Sequence, residues 1–226
     1  MFCIQDNQFV SPAVPGTREK LKEILDSPRV KWKIETIRSV RKPEAIKQWA
    51  GNTDFQKFCI KRLGMPRAGE AFAALTTEQR LMQWANDLKM WLPCFIFGVR
   101  QFEGTRRKQA EIKELSGLFM FDGDKLAIDP REVYERTQKP GFPWKVRLAH
   151  KTSSGHGIRL VSEALPEVGN IADNQIEMAR ELGLLGMSGT TGKPVTDDSC
   201  IDASRISYAP RKCDIYYIDE NGLFNL

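Results

Sequence analysis

Histidine is scarce in this 226-residue chain, and its cysteines show no pairing pattern. The two histidines, His150 and His156, are too few for most sites in which imidazole holds zinc. The cysteines are odd in number, widely separated and without a C-x-x-C pair, which argues against a disulfide framework and against a zinc cluster. They are Cys3, Cys59, Cys94, Cys200 and Cys213. The sequence therefore predicts free thiols in a reducing cytosol.

Apolar runs long enough to cross a bilayer are also missing from the sequence. A membrane-spanning helix needs about 20 apolar residues, and no stretch approaches that length. The first residues lack the basic-then-apolar order of a signal peptide, and the chain has no low-complexity tract or internal repeat. We therefore expect a cytoplasmic globular protein without a membrane partner, long enough for one large domain or two small ones.

Charge is unevenly distributed, although the formal net charge of +5 is modest. Residues 1–113 carry 21 Lys and Arg against 12 Asp and Glu, a net of +9, whereas the remainder carries 13 against 17, a net of −4. This asymmetry suits a polyanion held by the first half and a metal held by the second. A solvated basic surface explains it equally well, and we expect the run 38–42 to face solvent with some phosphate contact.

Periodicity in the first half of the chain predicts mostly helix. We expect a flexible arm over residues 1–16, a short helix from Thr17 to Leu25 that Pro28 closes, and a half-buried strand over 30–37. A mostly helical section follows over 43–91, with an amphipathic stripe that begins at Thr77.

The region 92–226 mixes strands and helices without strict strand–helix alternation, which favours an α+β fold over a doubly wound sheet. No linker cuts the chain, so we expect one domain over 1–226 with its core at 92–226. The predicted elements are a strand at 93–99, a basic helix from 104 to 114, a strand at 116–121, a helix from 129, a hairpin over 144–161, a helix over 170–184 and a strand at 215–218.

Two carboxylates, Asp122 and Asp124, end the apolar strand at 116–121. Residues two apart on a strand point to the same face, so we expect both carboxylates to project together. Like charges this close need a positive partner, and a hard divalent cation such as Mg²⁺ prefers carboxylate oxygen. The alternative is a strand that runs into an Asp-Gly turn with both acids in water.

The turn of the predicted hairpin is rich in serine, glycine and positive charge. Hydroxyls and accessible backbone N–H groups of this kind suit phosphate oxygens, and the neighbouring cations strengthen that preference. The candidate phosphate-binding residues of the turn are Lys151, Ser153, Ser154, His156 and Arg159. Such turns are also common in proteins that bind no ligand.

A third cluster, 195–205, offers the acids Asp197, Asp198 and Asp202, any of which could complete a metal site, followed by Arg205 for a phosphate or base. Acidic loops are usually just solvated, so the cluster is weak by itself.

The order of these three motifs resembles the archaeo-eukaryotic primase superfamily, the primase-polymerase catalytic core. The resemblance is closest to the primase-like domain at the N-terminus of VirE-type helicase proteins of bacteria and mobile elements. It rests on Phe121-Asp122-Gly123-Asp124, on the run Ser153 to Arg159, and on Asp197 with Arg205. The approach to the first motif is also similar, through Leu92-Pro93 and the basic residues 106–108. The resemblance as a whole covers roughly residues 88–220. The helical section over 43–87 lies outside the resemblance or is an insertion.

The resemblance implies mixed sheets with flanking helices, an RRM-like catalytic subdomain and nucleotide transfer to a 3′-hydroxyl on a template. Two Mg²⁺ or Mn²⁺ ions would lie between Asp122, Asp124 and Asp197, with Asp202 as the alternative third acid. The hairpin residues and Arg205 would hold an NTP or dNTP, and a single-stranded DNA template would follow the basic half. Template contacts are assigned to Arg106, Arg107 and Lys108. A helicase on the same or another chain is the implied partner, in the cytoplasm of a bacterium and encoded by its chromosome, a plasmid or a phage.

Two features depart from the family pattern: the position of the His, and the third motif, where the spacing to Arg205 points to Asp197 but the short Ile201-Asp202 pattern points to Asp202. Ser154-Gly155-His156 spells the family's Ser-x-His, yet the family's His stands where this chain has Arg159, which cannot exchange protons near neutral pH. We therefore expect both His156 and Arg159 to contact phosphate.

Two other functions remain open from the sequence: a metal-dependent nuclease or phosphodiesterase, and a non-catalytic nucleic-acid-binding module that retains the fold.

Overall fold

A computed structural model of the chain describes residues 1–9, 12–42, 44–104, 107–185 and 202–225. The fold is α+β, with two antiparallel four-stranded sheets and a two-stranded ribbon. Within the described residues the helices are α1 (Arg18–Leu25), α2 (Pro28–Ser39), α3 (Ala45–Trp49), α4 (Thr53–Leu63), α5 (Ala68–Ala73), α6 (Thr77–Met90), α7 (Pro130–Arg136), α8 (Ile171–Glu181) and α9 (Glu220–Phe224). None of these helices combines the length and apolar character needed to cross a membrane.

The first sheet joins the beginning of the chain to its end. Its strands, in spatial order, are β2 (Val14–Pro15), β1 (Cys3–Gln5), β3 (Cys94–Ile96) and β9 (Ser207–Tyr208). The expected flexible arm over 1–16 is therefore wrong for the described part of that range. Phe2, Cys3 and Ile4 are buried, and this burial anchors β1 between two neighbours.

The second sheet carries the candidate site. Its strands, in spatial order, are β10 (Ile215–Ile218), β7 (Val146–Lys151), β8 (Ile158–Glu163) and β6 (Leu118–Gly123). The strand ending in the two acids and the following hairpin are both as the sequence predicts. In the register of β6 and β8, Asp122 lies opposite Arg159, and in that of β7 and β8, His150 also lies opposite Arg159.

Successive side chains along β6 point to opposite faces of the second sheet, and each face packs in a different hydrophobic core. Phe119 and Phe121 pack with α7 and α8. Leu118 and Met120 pack toward the first sheet and the helices α1 and α2. Asp122 continues the second series, since residues two apart share a face. The acid-bearing end of β6 therefore faces the space between the two sheets.

Residues 30–37, expected as a strand, form most of helix α2. Pro28 is the first residue of this helix instead of a stop, and the Ser27 hydroxyl caps it by accepting from the Val30 N–H. The buried residues Val30, Ile34 and Ile37 recur at helical spacing. The alternation that suggested a strand depended on Trp32, whose side chain is exposed.

The section over 43–91 contains helices α3 to α6 and has a small core of its own. Phe55, Phe58, Phe72 and Trp84 pack together there. A capping box between Thr76 and Gln79 begins α6.

The basic helix expected over 104–114 is also wrong. In the described part of that range, a 3-10 turn at Gln109–Glu111 leads into strand β5 (Ile112–Leu115), which pairs with β4 (Val99–Phe102). The pairing satisfies the backbone of both strands.

Candidate functional site

Asp122 and Asp124 project together from the end of β6, and Arg159 joins them. The Arg159 Nη1 atom forms an ion pair with the Asp122 carboxylate and lies 3.8 Å from Oδ1 of Asp124. The Asp122 side chain is 3% exposed, whereas that of Asp124 is 46% exposed. The positive partner that two neighbouring acids require is thus supplied by the opposite strand, and Asp124 keeps a solvent-facing side.

The turn between β7 and β8 lies directly against these acids. Its backbone is closed by hydrogen bonds from the Thr152 N–H to the Gly157 carbonyl and from the Gly155 N–H to the Thr152 carbonyl. Gly155 takes a left-handed conformation at φ +89°. A Cβ atom on Gly157 would stand 2.8 Å from Oδ1 of Asp124, so glycine is required for the turn to approach the carboxylate this closely.

Arg38, at the end of α2, holds the turn from the other side. Its guanidinium donates to the carbonyls of Thr152 and Ser153, at 2.9 and 3.2 Å, and makes two further hydrogen bonds to Asp214. Arg211 donates to both oxygens of the same carboxylate. Burial opposes ionisation of Asp214, but these hydrogen bonds outweigh it and lower the pKa.

A pocket of about 160 Å³ opens between the acids, the turn and the helical section. Arg41 after α2 and Lys89 in α6 line it together with four of the five expected residues of the turn. The lining residues are Arg41, Lys89, Asp124, Lys125, His150, Thr152, Ser153, Ser154, His156, Arg159, Ser207 and Tyr208. Four of them carry formal positive charge beside the single carboxylate of Asp124, two are histidines, and three offer aliphatic hydroxyls in the turn. The pocket therefore suits an anion with several oxygens.

The lowered pKa of Lys89 shows that several positively charged side chains lie close to it. Burial is the largest cause that lowers the pKa of its ammonium group, and the positive charge of Arg159 lowers it further. The negative charge of Asp124 raises this pKa, whereas Arg41 and Arg205 lower it by smaller amounts. A bound anion would relieve this repulsion.

His150 closes the floor of the pocket as a neutral group. It is 1% exposed, and burial lowers its pKa to about 4. Its Nδ1 lies 3.0 Å from the Lys151 carbonyl, and its Nε2 lies 3.3 Å from the hydroxyl of Ser207 in β9. The imidazole thereby connects the two sheets behind the site.

The third predicted motif falls only partly within the described residues. Asp197 and Asp198 lie outside them, as does Arg106. The Asp202 carboxylate accepts hydrogen bonds from the N–H and the hydroxyl of Ser204, at 2.7 and 2.8 Å, and so holds its own turn. Arg205 is close enough to contribute to the pKa of both Lys89 and Tyr208.

The remaining expected residues stand at the edge of the site. Arg107 donates to the carbonyl of Ser204 at 2.7 Å, which attaches the basic segment to that turn. Lys108 is exposed. Lys151 lies at the end of β7 and outside the lining of the pocket.

The donor set at the strand end fits a divalent cation only in part. Asp122 and Asp124 supply carboxylate oxygens on one face, which is the ligand type that Mg²⁺ and Mn²⁺ prefer. Among the described residues, however, no three His, Cys, Asp or Glu side chains meet in a group that could hold a metal. Asp202 thus does not join the pair, and the third acid would have to come from the segment that contains Asp197.

Sequence reasoning missed the contribution of the helical section to the pocket. Arg38 and Arg41 belong to the run 38–42 that was expected to face solvent with some phosphate contact, and Lys89 lies in the last turn of α6. The only signal was the concentration of positive charge in residues 1–113. Which of those cations meet the turn depends on the packing of α2 against α6.

No family model, curated protein or solved structure shows a significant match to this chain.

Proposed function

We propose that this chain is a metal-dependent nucleotidyltransferase of the primase-polymerase type, which adds nucleotides from an NTP or dNTP to a 3′-hydroxyl. The observation that carries the proposal is the placement of Asp122 and Asp124 against a turn of serine and glycine, with Asp124 in a pocket also lined by Arg41, Lys89 and Arg159. Acids beside a multidentate anion pocket suit phosphoryl chemistry better than either feature alone.

In this proposal the chain's cations and hydroxyls bind the triphosphate. Lys89, Arg41 and His156 would neutralise its charge, and the hydroxyls of Ser153 and Ser154 would donate to its oxygens. Asp122, Asp124 and Asp197 are the residues that would hold Mg²⁺ or Mn²⁺, which supplies charge neutralisation and activates the attacking oxygen when bound. Arg159 would then turn from the carboxylates toward the phosphates.

The order of elements along the chain supports an RRM-like catalytic unit. The elements of the second sheet and its two helices run β6, α7, β7, β8, α8 and β10, a strand–helix–strand–strand–helix–strand order. The spatial order departs from that fold in one respect, since β10 pairs with β7 and not with β6. The two helices pack on one face, and the acids stand on the other. We propose the primase-polymerase core on this basis, with single-stranded DNA as template and a helicase as partner in a bacterial, plasmid or phage setting.

A second candidate is a nucleotide- or nucleic-acid-binding module without catalysis. The ion pair between Asp122 and Arg159 favours it, because a buried carboxylate already neutralised by arginine needs no metal. The two candidates differ in whether divalent metal changes the affinity for a triphosphate.

A primer-synthesis and extension assay on single-stranded DNA with Mg²⁺ or Mn²⁺ tests the proposal. We expect Asp124→Ala to lower the rate at least about 10²-fold, since a group that stabilises developing charge is commonly worth that much. Asp54→Ala, an exposed acid in the first turn of α4, is the matched control and should retain full activity. Equal synthesis by Asp124→Ala and the wild type would remove the polymerase proposal, while binding without synthesis in the wild type would favour the second candidate.

The third acid is identified by a parallel comparison. Asp197→Asn should lose synthesis as completely as Asp124→Asn, whereas Asp202→Asn should alter only the turn at Ser204. The reverse ranking would assign the metal site to Asp202.

A further inference from the structure

An exposed aromatic pair lies beside the candidate site. The rings of Phe9 and Trp91 have centroids 5.7 Å apart and an interplanar angle of 56°. Phe9 is 55% exposed and Trp91 is 42% exposed, the two highest values among the aromatic residues that the structure describes. Two adjacent rings that face solvent offer a surface on which flat apolar groups can stack.

A second pocket, of about 310 Å³, adjoins this pair. Trp91, Pro93 and Asp6 line it together with Arg29 and Lys33 of α2. The buried Lys33 donates to the Trp91 backbone carbonyl and so ties α2 to the end of α6, whereas Arg29 is exposed. Aromatic surface next to cations is the combination that binds nucleic-acid bases together with their phosphates.

Both members of the aromatic pair are close neighbours, along the chain or through a hydrogen bond, of residues that line the first pocket. Lys89, which lines the first pocket, precedes Trp91 by two residues. Tyr208 also lines the first pocket, and its hydroxyl donates to Oε1 of Gln8 at 2.5 Å, next to Phe9. Trp91 lines the second pocket, and short links through Lys89 and through Gln8 therefore connect the pair to residues of the first pocket.

We propose that Phe9 and Trp91 form a base-stacking platform for single-stranded nucleic acid that enters the candidate active site. The proposal rests on the function proposed above and names the place where its template lies. Arg29, in α2, lines the second pocket, and Arg41, just beyond α2, lines the first. The two are twelve residues apart, which is about 18 Å along a helix axis. At about 3.4 Å per nucleotide step, this span matches several nucleotides of a strand and exceeds one mononucleotide.

The test is the binding of a fluorescein-labelled oligothymidine of about 20 nucleotides, long enough for the known range of single-strand site sizes. Anisotropy is measured without metal or triphosphate in an Asp122→Asn/Asp124→Asn background, so that no synthesis occurs. We expect Trp91→Ala and Phe9→Ala each to weaken binding at least about fivefold, the low end for loss of one base–aromatic stack. Trp91→Phe should recover most of the affinity.

The matched control is Trp32→Ala, a tryptophan of similar exposure, 39%, that lines neither pocket. It should bind within about twofold of the parent, because it removes equal aromatic surface from another place. Far-ultraviolet circular dichroism at the assay temperature confirms that each variant is folded. Arg29→Gln, a change to an exposed cation of the second pocket, should reduce the salt dependence of binding by about one phosphate contact, and Trp91→Ala should leave it unchanged.

Three outcomes would overturn the platform: unchanged binding by Trp91→Ala, an equal loss in Trp32→Ala, or competition by dTTP alone at concentrations that fill the first pocket. The last outcome would assign the rings to the base of the nucleotide. Failure of the proposed function looks different, because the wild type would then bind the oligonucleotide through Trp91 and synthesise nothing. Synthesis by a protein whose Trp91→Ala variant binds normally would reject the platform alone.

Discussion

Asp214 and Asp124 lie on opposite sides of the same hairpin turn, and arginine meets each of them differently. Asp214 is 5% exposed, and Arg38 and Arg211 each donate to both of its oxygens. Asp124 has a side chain 46% exposed and only a 3.8 Å approach from Arg159. The first arrangement uses the hydrogen-bonding capacity of the carboxylate, and the second leaves most of it facing the pocket.

The difference separates an acid that builds the turn from an acid that faces a ligand. Because Arg38 also donates to the carbonyls of Thr152 and Ser153, the Asp214 cluster ties α2 and β10 to the turn. This support fixes the turn without consuming Asp124. Residues that hold the geometry and residues that face the pocket should therefore respond differently to substitution.

The largest effect on folding is expected at Asp214. Asp214→Asn leaves two arginines without their shared carboxylate and should cost about 3–5 kcal/mol, as breaking a buried ion pair does. Asp124→Asn should change the free energy of unfolding by less than about 0.5 kcal/mol, since that side chain is half exposed. Urea denaturation of both variants measures the contrast, and equal losses would contradict the division between the two acids.

A pH effect of similar size is expected at His150. In the unfolded chain the imidazole gains a proton as the pH falls through its ordinary pKa of 6.5, whereas burial holds the folded pKa at about 4. The folded state therefore loses stability as the pH falls from 6.5 toward 4, by about 3 kcal/mol in total. His150→Gln should flatten this part of the stability profile, measured by urea unfolding at several pH values.

His156→Gln is the control for this experiment. His156 is exposed, so its removal should leave the profile parallel to that of the wild type. Parallel profiles for His150→Gln and the wild type would show that the pH dependence arises from other groups.

A smaller effect is expected where the turn approaches Asp124. In Gly157→Ala, the new methyl group would stand 2.5 Å from the Gly123 carbonyl oxygen, so the turn must move, at a cost of about 1–3 kcal/mol. Because the turn moves, the Michaelis constant for the triphosphate should also be higher in Gly157→Ala than in the wild type. Gly51→Ala is the matched control, because no atom lies within 4 Å of its added methyl, and it should be neutral or stabilising by up to about 1 kcal/mol. Equal stability and equal Michaelis constants in Gly157→Ala and Gly51→Ala would show that the turn lies farther from Asp124 than in the structure.

The smallest expected effect distinguishes metal from guanidinium as the partner of the acids. Without divalent metal, Asp124→Asn removes a negative charge from the pocket and should bind tripolyphosphate about fivefold more tightly, the effect of about 1 kcal/mol at 4 Å in water. With Mn²⁺ present the order should reverse. Isothermal titration measures both, with Asp54→Asn as control, and the same order under both conditions would exclude a metal role for Asp124.

Local motifs were predictable because their structure depends on neighbours in the chain. The apolar run before Asp122 and the serine–glycine turn after His150 each specify a strand end or a turn without reference to distant residues. The helix α2 was missed because Val30, Trp32 and Ile34 alternate as in a strand while Ile34 and Ile37 also fit a helix, and only burial distinguishes the two.

Long-range contacts account for what could not be predicted. Arg38 meets the carbonyl of Ser153 across 115 positions of sequence, and nothing near Arg38 indicates that partner. The same holds for Gln8 and Tyr208, which are 200 positions apart. Such contacts depend on how helices and sheets pack, which a pattern of residue types in one segment does not contain.

The order of strands in the first sheet has a consequence for how the protein is made. Strand β3 receives one neighbour, β1, from the first residues and the other, β9, from residues 207–208. Pairings of such high sequence separation form late and slowly. The ribosome must therefore release residues up to 208 before β3 is flanked on both sides, and until then its open edge is a surface for chaperones or for aggregation.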